Sequence, residues 1–326
     1  MDWHAVVADG VREHGLSEAQ RRELLALGGV GVEPPVLLAQ LPLMLIGLAA
    51  LLAGLGLVFA VAANWDELSR VAQFGLLQAA VALGALGVIA RPGLRMPLGL
   101  WCLLAMGGLL AFFGQTYQTG ADAWQLFALW AALGLPLALG VRADTVWSAW
   151  ALVAMTAISL WMTAHTRHAW RAEPDGLAVH LIGWVVALLL VLALGSRPGH
   201  RAGAGLWARR TAACLAVLLV TASAVAALFG GSPTTYVPLA LLTLGAAAWV
   251  ASRPAAFELF TLSAAALGLN AVLVGGLGRW LFDGHGRGDG TGQWLLIGLV
   301  AAALLSGTVS AVLRLARAAE RQGVDA

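Results

Sequence analysis

The sequence contains no lysine, and only 11% of its residues are charged. A soluble domain typically has about a quarter charged residues, so the low charge excludes an ordinary soluble globular protein. Every basic residue is an arginine, and the formal net charge is only +2 at pH 7. A chain with no clustered basic residues lacks the electrostatic footprint of a nucleic-acid-binding protein. We therefore expect no nucleic-acid partner.

Motifs for metal binding and catalysis are also lacking. Cys102 and Cys214 each lie within an apolar run, and no Cys-x-x-Cys spacing supports a disulfide framework or a thiolate metal site. His165 and His168 form a His-x-x-His pair, but no carboxylate follows at helical spacing to complete a zinc site. The sequence predicts no catalytic, cofactor-binding or metal-binding residues, so an enzyme is the least supported class of function and the question stays open.

Long apolar runs are abundant, and hydrophobic residues make up 60% of the chain. A run of about 20 residues crosses a hydrocarbon core as a helix, which satisfies its own backbone hydrogen bonds. The runs do not alternate between apolar and polar residues, as the strands of a membrane barrel would. We predict an all-α, polytopic transmembrane helical bundle with about ten spans. The predicted spans are residues 37–62, 70–90, 97–113, 122–141, 145–164, 177–196, 211–230, 237–252, 258–281 and 293–313.

The polar ends of the chain define the remaining organisation. Residues 1–36 are predicted to form a cytoplasmic amphipathic region, a short helical hairpin in which Ser17 and Gln20 have the spacing of a capping box. Residues 37–144 form a first membrane half, residues 145–313 a second half, and residues 314–326 a cytoplasmic tail.

The distribution of arginine orients these spans. With the N-terminus inside, most arginines fall in cytoplasmic segments, and only Arg70, Arg167, Arg171, Arg279 and Arg287 fall on the opposite side. The asymmetry predicts that both termini are cytoplasmic. One helix more or fewer in the second half would weaken the difference in arginine number between the two sides of the membrane there.

Two loops on the predicted outer side contain clustered polar residues, in the stretches AANWDELSR (62–70) and GQTYQTGADAW (114–124). The helices that they connect are consecutive, so we expect the two loops to face each other across a small outer site. Capping of the following helices alone would explain Asp66 and Asp122, but not the amides and the phenol. The candidate substrate-binding residues are Asn64, Trp65, Asp66, Gln115, Tyr117, Gln118 and Asp122.

A few side chains inside or at the ends of the spans have a structural interpretation. Asn270 is the most deeply placed strong hydrogen-bonding side chain, and we expect it to join two helices. Tryptophans near the inner ends, such as Trp147 and Trp150, are expected to anchor the helices at headgroup level. No series of carboxylates crosses the membrane, so the parts of a proton relay are missing.

Three stretches in order resemble one known family: VREHGLSEAQRRELLAL, then VAANWDELSR, then GQTYQTGADAWQLFALWAALGLPLAL. They are similar to the bacterial predicted membrane proteins called domain of unknown function 2157, over about the first 145 residues. The resemblance implies a bacterial inner-membrane protein and transfers no activity. The residues that match the family pattern are Asn64, Trp65, Asp66, Gln115, Tyr117, Asp122 and Trp130.

Two hypotheses of function remain open. The first is a permease-like or channel-like protein whose periplasm-facing polar site takes a small neutral or cationic solute. The second is a noncatalytic membrane scaffold or sensor that binds a membrane or cytoplasmic protein partner, using its N-terminal helices. A membrane enzyme acting on lipid would need a nucleophile and base, and no such pair is readable. The lipid bilayer is a partner under every hypothesis.

Overall fold

The computed structural model describes residues 17, 20, 35–63, 67–117, 120, 122–166, 174–230, 233–253, 257–284 and 291–321. Every regular element in these residues is a helix, which confirms the predicted all-α class. Short 3-10 helices cover Pro92–Leu94 and Pro174–Gly176. The α-helices are α1 (Pro35–Ala63), α2 (Arg70–Ala90), α3 (Arg95–Tyr117), α4 (Ala123–Val141), α5 (Asp144–His165), α6 (Leu177–Leu194), α7 (Arg197–Arg201), α8 (Leu206–Gly230), α9 (Pro233–Ala251), α10 (Leu259–Gly284) and α11 (Thr291–Arg321).

The lengths of these helices agree with a polytopic membrane protein. Within the described ranges, eight helices are long and apolar enough to cross a membrane, and two shorter apolar stretches occur at Gln40–Gly56 and Thr235–Ala251. This is consistent with the prediction of about ten spans. Several helices extend beyond their predicted spans, as α3 does at Tyr117 and α8 at Leu206. Hydropathy marks the lipid-buried part of a helix, whereas backbone hydrogen bonding continues into the polar flanks.

The chain divides into two compact units, Met1–Ala53 and Gly54–Ala326, and the boundary falls inside α1. In the first unit, the backbone N–H of Ser17 donates to Gln20 Oε1 at 2.9 Å, and the backbone N–H of Gln20 donates to Ser17 Oγ at 3.4 Å. This reciprocal pair confirms the predicted capping box. The rest of the predicted N-terminal hairpin belongs to the part of the chain that the structure does not describe.

The centre of the second unit is formed by α5 and α8. Helix α5 packs against α3, α4, α6 and α8, and α8 packs in turn against α6, α9 and α10. The main core cluster lies between them, with Trp147, Trp150 and Met155 of α5 against Ala208 and Ala212 of α8. Small residues on α8 let the two backbones approach closely, which is the usual basis of helix packing in membranes.

Indole hydrogen bonds connect successive helices from α2 to α5. Each donor is a tryptophan Nε1–H, and each acceptor is a backbone carbonyl of the preceding helix. The three bonds run from Trp101 to Ala80 at 3.2 Å, from Trp130 to Leu103 at 2.9 Å and from Trp150 to Ala131 at 2.7 Å. Gly107 lies beneath the Trp130 ring, where an added Cβ would lie 2.3 Å from the ring atom Cζ2, so only glycine fits there.

These bonds correct the anchoring role expected for two tryptophans. Trp147 and Trp150 are buried in the core, with only 5% and 9% of their surface exposed, and therefore do not anchor α5 at headgroup level. The reason is that their indole N–H groups find carbonyl partners inside the bundle, Trp147 donating to Ala202 at 2.8 Å. Trp207 and Trp249, at the ends of their helices, remain largely exposed, as anchoring requires.

Asn270 has the expected helix-joining role. Its Nδ2 donates to Thr308 Oγ1 at 2.9 Å, and the Thr308 hydroxyl lies 3.3 Å from Asn270 Oδ1, which connects α10 to α11. In hydrocarbon, an amide left without a partner would cost several kcal/mol. The pair therefore stabilises the contact between the last two helices.

The predicted orientation can be tested with single cysteines in a chain whose Cys102 and Cys214 are replaced by alanine. Glu67 and His200 are both exposed. Glu67 precedes α2 on the predicted outer side, and His200 lies in α7 on the predicted inner side. If arginine sets the topology, Glu67→Cys should react with an impermeant maleimide added to intact cells, and His200→Cys should react only after permeabilisation. Labelling of position 200 in intact cells would show that the orientation is wrong.

Candidate functional site

The structure describes three of the seven predicted site residues. Gln115 and Tyr117 lie in the last turn of α3, and Asp122 immediately precedes α4. Asn64, Trp65, Asp66 and Gln118 fall among the residues that the structure leaves undescribed, so the expected contact between the two loops stays a prediction. We call the end of the bundle at which α2 and α4 begin the outer end, following the predicted topology.

Tyr117 belongs to an aromatic cluster at the outer end. Its ring centroid lies 4.8 Å from that of Phe113 and 5.8 Å from that of Phe74 on α2. Phe74 also packs on Phe112 at 4.4 Å, so the cluster fixes the end of α3 against the start of α2. Tyr117 nevertheless keeps 59% of its surface exposed, and Gln115 is exposed beside it. Packing therefore positions this phenol without enclosing it.

Helix capping was the competing explanation for the acidic residues, and it fails for Asp122. The residue has the extended backbone of an N-cap (φ −61°, ψ 148°), but its side chain makes no capping hydrogen bond. In the first loop, the cap of α2 is Ser69, which accepts from the Ala72 N–H at 3.3 Å. The capping explanation of this loop had favoured Asp66 instead. Because α2 begins at Arg70, the N-cap position belongs to Ser69.

A second aromatic group lies at the outer ends of α4 and α5, and it was not among the predicted site residues. His165 packs on Trp161, one turn earlier, with ring centroids 4.8 Å apart, and meets Trp124 edge-on at 5.8 Å. The His165 Nδ1 lies 2.8 Å from the Trp161 carbonyl oxygen. The i, i+4 spacing of Trp161 and His165 is the one sequence signal that could have identified this pair.

Trp124 carries an unusual polar group. Its indole Nε1 is buried, and no acceptor lies within hydrogen-bonding distance in the described part of the chain. A buried donor without a partner costs roughly 1–3 kcal/mol. The indoles of Trp101, Trp130, Trp147 and Trp150 all reach backbone carbonyls. Trp124 is therefore the exception among these five, and it follows Asp122 by two positions.

The two tyrosines of the sequence occupy opposite environments. Tyr236 is fully buried, with its hydroxyl 3.4 Å from His180 Nδ1, whereas Tyr117 is exposed. Only Tyr117 is therefore accessible at the surface.

At the opposite end of the bundle, Arg210 and Glu258 form a short ion pair with 2.9 Å between Nε and Oε1. Burial alone would raise the pKa of Glu258. Hydrogen bonds from Thr261 and the neighbouring Arg210 guanidinium outweigh burial and lower this pKa below its ordinary value. The ionised Glu258 side chain also accepts the backbone N–H of Thr261 in the first turn of α10.

Comparison with known proteins supports the resemblance found in the sequence. The family described as "Predicted membrane protein (DUF2157)" matches residues 11–147, a stretch that contains all seven predicted site residues. This confirms the resemblance for that part of the chain, and the description specifies a membrane protein. No curated protein and no solved structure matches the chain.

The different capping states of Ser69 and Asp122 give a prediction about stability. Ser69→Ala removes a capping bond and should destabilise the protein by about 1 kcal/mol, as at other N-caps. Asp122→Ala removes no such bond and should cost less. Thermal unfolding of the purified protein in detergent measures both. An equal or larger loss for Asp122→Ala would mean that Asp122 serves as a helix cap after all.

The lowered pKa of Glu258 predicts an acid-sensitive contact. A carboxylate whose pKa is lowered by folding stabilises the fold above its unfolded pKa, here about 4.5, and loses that effect as pH falls through the folded pKa. Glu258→Gln should therefore unfold at a lower temperature than the wild type at about pH 6, with the gap closing as pH drops below about 4.5. Arg210→Gln should give a comparable loss at the higher pH. A gap that is constant across pH would contradict the assignment.

Proposed function

We propose that this membrane protein is a permease-like protein of a bacterial inner membrane that binds a small neutral or cationic solute at its outer, periplasmic end. The observation that carries the proposal is the buried Trp124 indole N–H without an acceptor in the described residues. A buried N–H donor without an acceptor favours binding of an acceptor from a ligand, because the new hydrogen bond removes the free-energy cost of the unpaired donor.

Neighbouring groups support the same interpretation. Asp122 is exposed and makes no capping bond, and Gln115 and Tyr117 are exposed in the last turn of α3, with no side-chain hydrogen bond to another described residue. Polar side chains that only reverse the chain are normally explained by local backbone hydrogen bonds. These three lack that explanation and are available to a ligand.

The chemistry of these groups defines the class of solute. The Trp124 N–H would donate to a hydroxyl or carbonyl oxygen, and the Asp122 carboxylate would accept from a donor or attract a cation. The aromatic rings of Tyr117 and Trp161 add favourable faces for a cation. Residues 114–124 contain an aspartate and no basic residue, which favours a neutral or cationic solute over an anion at this stretch. A small amine or hydroxyl compound fits this combination.

The described carboxylates favour passage without ion coupling. Glu67, Asp122, Asp144, Asp175 and Glu258 all lie in loops or at helix ends. Ion-coupled transporters place ionisable groups near the middle of the membrane, where they mark the ion pathway. In our proposal, Asn64, Trp65, Asp66 and Gln118 complete the outer site, and the solute then moves down its own gradient.

Binding tests this proposal. We expect ethanolamine and glycerol to bind the purified chain in detergent, and glutamate not to bind, as measured by isothermal titration calorimetry. Trp124→Phe removes the N–H and keeps a ring, so it should weaken ethanolamine binding roughly five- to ten-fold. Asp122→Asn should weaken ethanolamine more than glycerol, because only ethanolamine is a cation.

Asp175→Asn is the matched control, since Asp175 is another exposed aspartate just before a helix. This variant should leave ethanolamine binding unchanged. Proteoliposomes that contain the wild-type protein should take up the solutes that it binds. Equal binding by wild type and Trp124→Phe would contradict the site. Absence of both binding and uptake would favour the scaffold alternative, in which deletion of residues 1–36 abolishes association with a partner protein.

A further inference from the structure

Five arginines lie at the end of the bundle opposite the outer site. They are found at the turn between α4 and α5, in and around α7, at the start of α8 and after α9. We call them the arginine face; its members are Arg142, Arg197, Arg201, Arg209 and Arg253. Four of them are exposed, and Arg209 is half-buried.

One carboxylate holds two of these segments together. Asp144, at the start of α5, accepts the backbone N–H groups of Gly205, Trp207 and Ala208, each at 2.9 Å. The turn at Arg142 lies directly against Gly203, whose φ of +91° and lack of a side chain permit the contact. The segments that carry Arg142 and Arg201 are therefore fixed side by side.

A second carboxylate holds the other segments. Glu258 binds Arg210 of α8 through its side chain, and its backbone N–H donates to the Ala251 carbonyl at 3.1 Å. Ala251 is two residues before Arg253, so Arg253 lies close to the start of α8. The Arg209 side chain crosses Gly195 at the end of α6, where an added Cβ would lie 3.0 Å from Arg209 Cδ.

Asp144 and Glu258, the acids described at this end with their contacts, are thus both occupied by structural contacts. Asp144 is saturated by backbone N–H groups, and Glu258 by Arg210 and Thr261. Among the described residues, none of the five arginines forms an ion pair, since the one ion pair there joins Arg210 to Glu258. The arginines at this face outnumber the two described carboxylates beside them, so the face carries net positive charge. Guanidinium groups can bind phosphate through paired N–H donors.

Exposed tryptophans indicate where the phosphate would come from. The Arg253 guanidinium carbon lies 3.6 Å above the Trp249 ring, and Trp249 is 58% exposed. Trp207, in the first turn of α8, is 62% exposed and lies under the Arg210 guanidinium carbon at 5.5 Å. Exposed tryptophans at helix ends lie at the depth of the lipid headgroups, which places the adjacent guanidinium at the level of lipid phosphate.

We propose that the arginine face binds the phosphates of anionic phospholipid headgroups, with Arg253 on its Trp249 platform and Arg209 as principal ligands. Basic pockets between membrane helices commonly recognise anionic lipids through such contacts. The bound lipid would bridge α6, α8 and α9 at their shared end. This site is separate from the solute site proposed at the outer end and does not depend on it.

Titration of the full-length protein in detergent with phosphatidylglycerol tests the proposal. Thermal unfolding should shift upward with phosphatidylglycerol, and neither phosphatidylcholine nor inorganic phosphate at the same concentration should reproduce the shift. Arg253→Gln and Arg209→Gln should each weaken the apparent affinity about five-fold. Trp249→Leu leaves the charge unchanged and should also weaken the apparent affinity. Attraction by net charge alone would not be affected by this substitution.

Arg70→Gln is the matched control, because Arg70 is exposed at the other end of the bundle. It removes the same charge and should keep the full response to phosphatidylglycerol. An equal loss in Arg70→Gln, an equal shift with inorganic phosphate, or an equal shift with phosphatidylcholine would each overturn the proposal.

Discussion

The structure depends on one constraint: polar groups within an apolar bundle must find partners inside the protein, because hydrocarbon offers none. The first half meets this constraint with indoles that donate to carbonyls of the preceding helix, as Trp130 does to Leu103. The second half uses side-chain pairs, Trp184 with Ser223 and Asn270 with Thr308. Each bond also fixes the spacing of two helices, so polarity inside the bundle determines its packing.

Where polar groups are not used in this way, the structure suggests function. Trp124 keeps a buried N–H without an acceptor in the described residues, and the Asp122 side chain makes no capping hydrogen bond although the residue occupies the N-cap position of α4. At the other end, Asp144 accepts backbone N–H groups and Glu258 pairs with Arg210, and among the described residues the five arginines of the arginine face form no ion pair. Hydrogen-bonded side chains such as Trp130 and Asn270 thus serve structure, and we propose ligand binding for the unpaired groups at the two ends of the bundle.

Much of the fold followed from the sequence, because a span is a local property of about 20 consecutive residues. The predicted spans 122–141 and 145–164 correspond closely to α4 and α5. The site was less predictable. Hydropathy located the polar stretch of Gln115 and Tyr117 but assigned it to a loop, whereas both residues belong to the last turn of α3. Whether an indole is hydrogen-bonded depends on which backbone approaches it, and Gly107 permits such an approach beneath Trp130. Pairings between distant helices leave no periodic trace, so the sequence did not distinguish Trp124 from the paired tryptophans.

Nuclear magnetic resonance of the indole N–H groups tests the central claim most directly. In protein labelled with ¹⁵N at tryptophan, the Trp124 signal can be assigned by its loss in the Trp124→Phe variant, and the Trp150 signal in the same way. The account predicts that ethanolamine shifts the Trp124 indole resonance and leaves that of Trp150, already bonded to Ala131, in place. A Trp124 signal that does not move, or equal shifts of both signals, would contradict it.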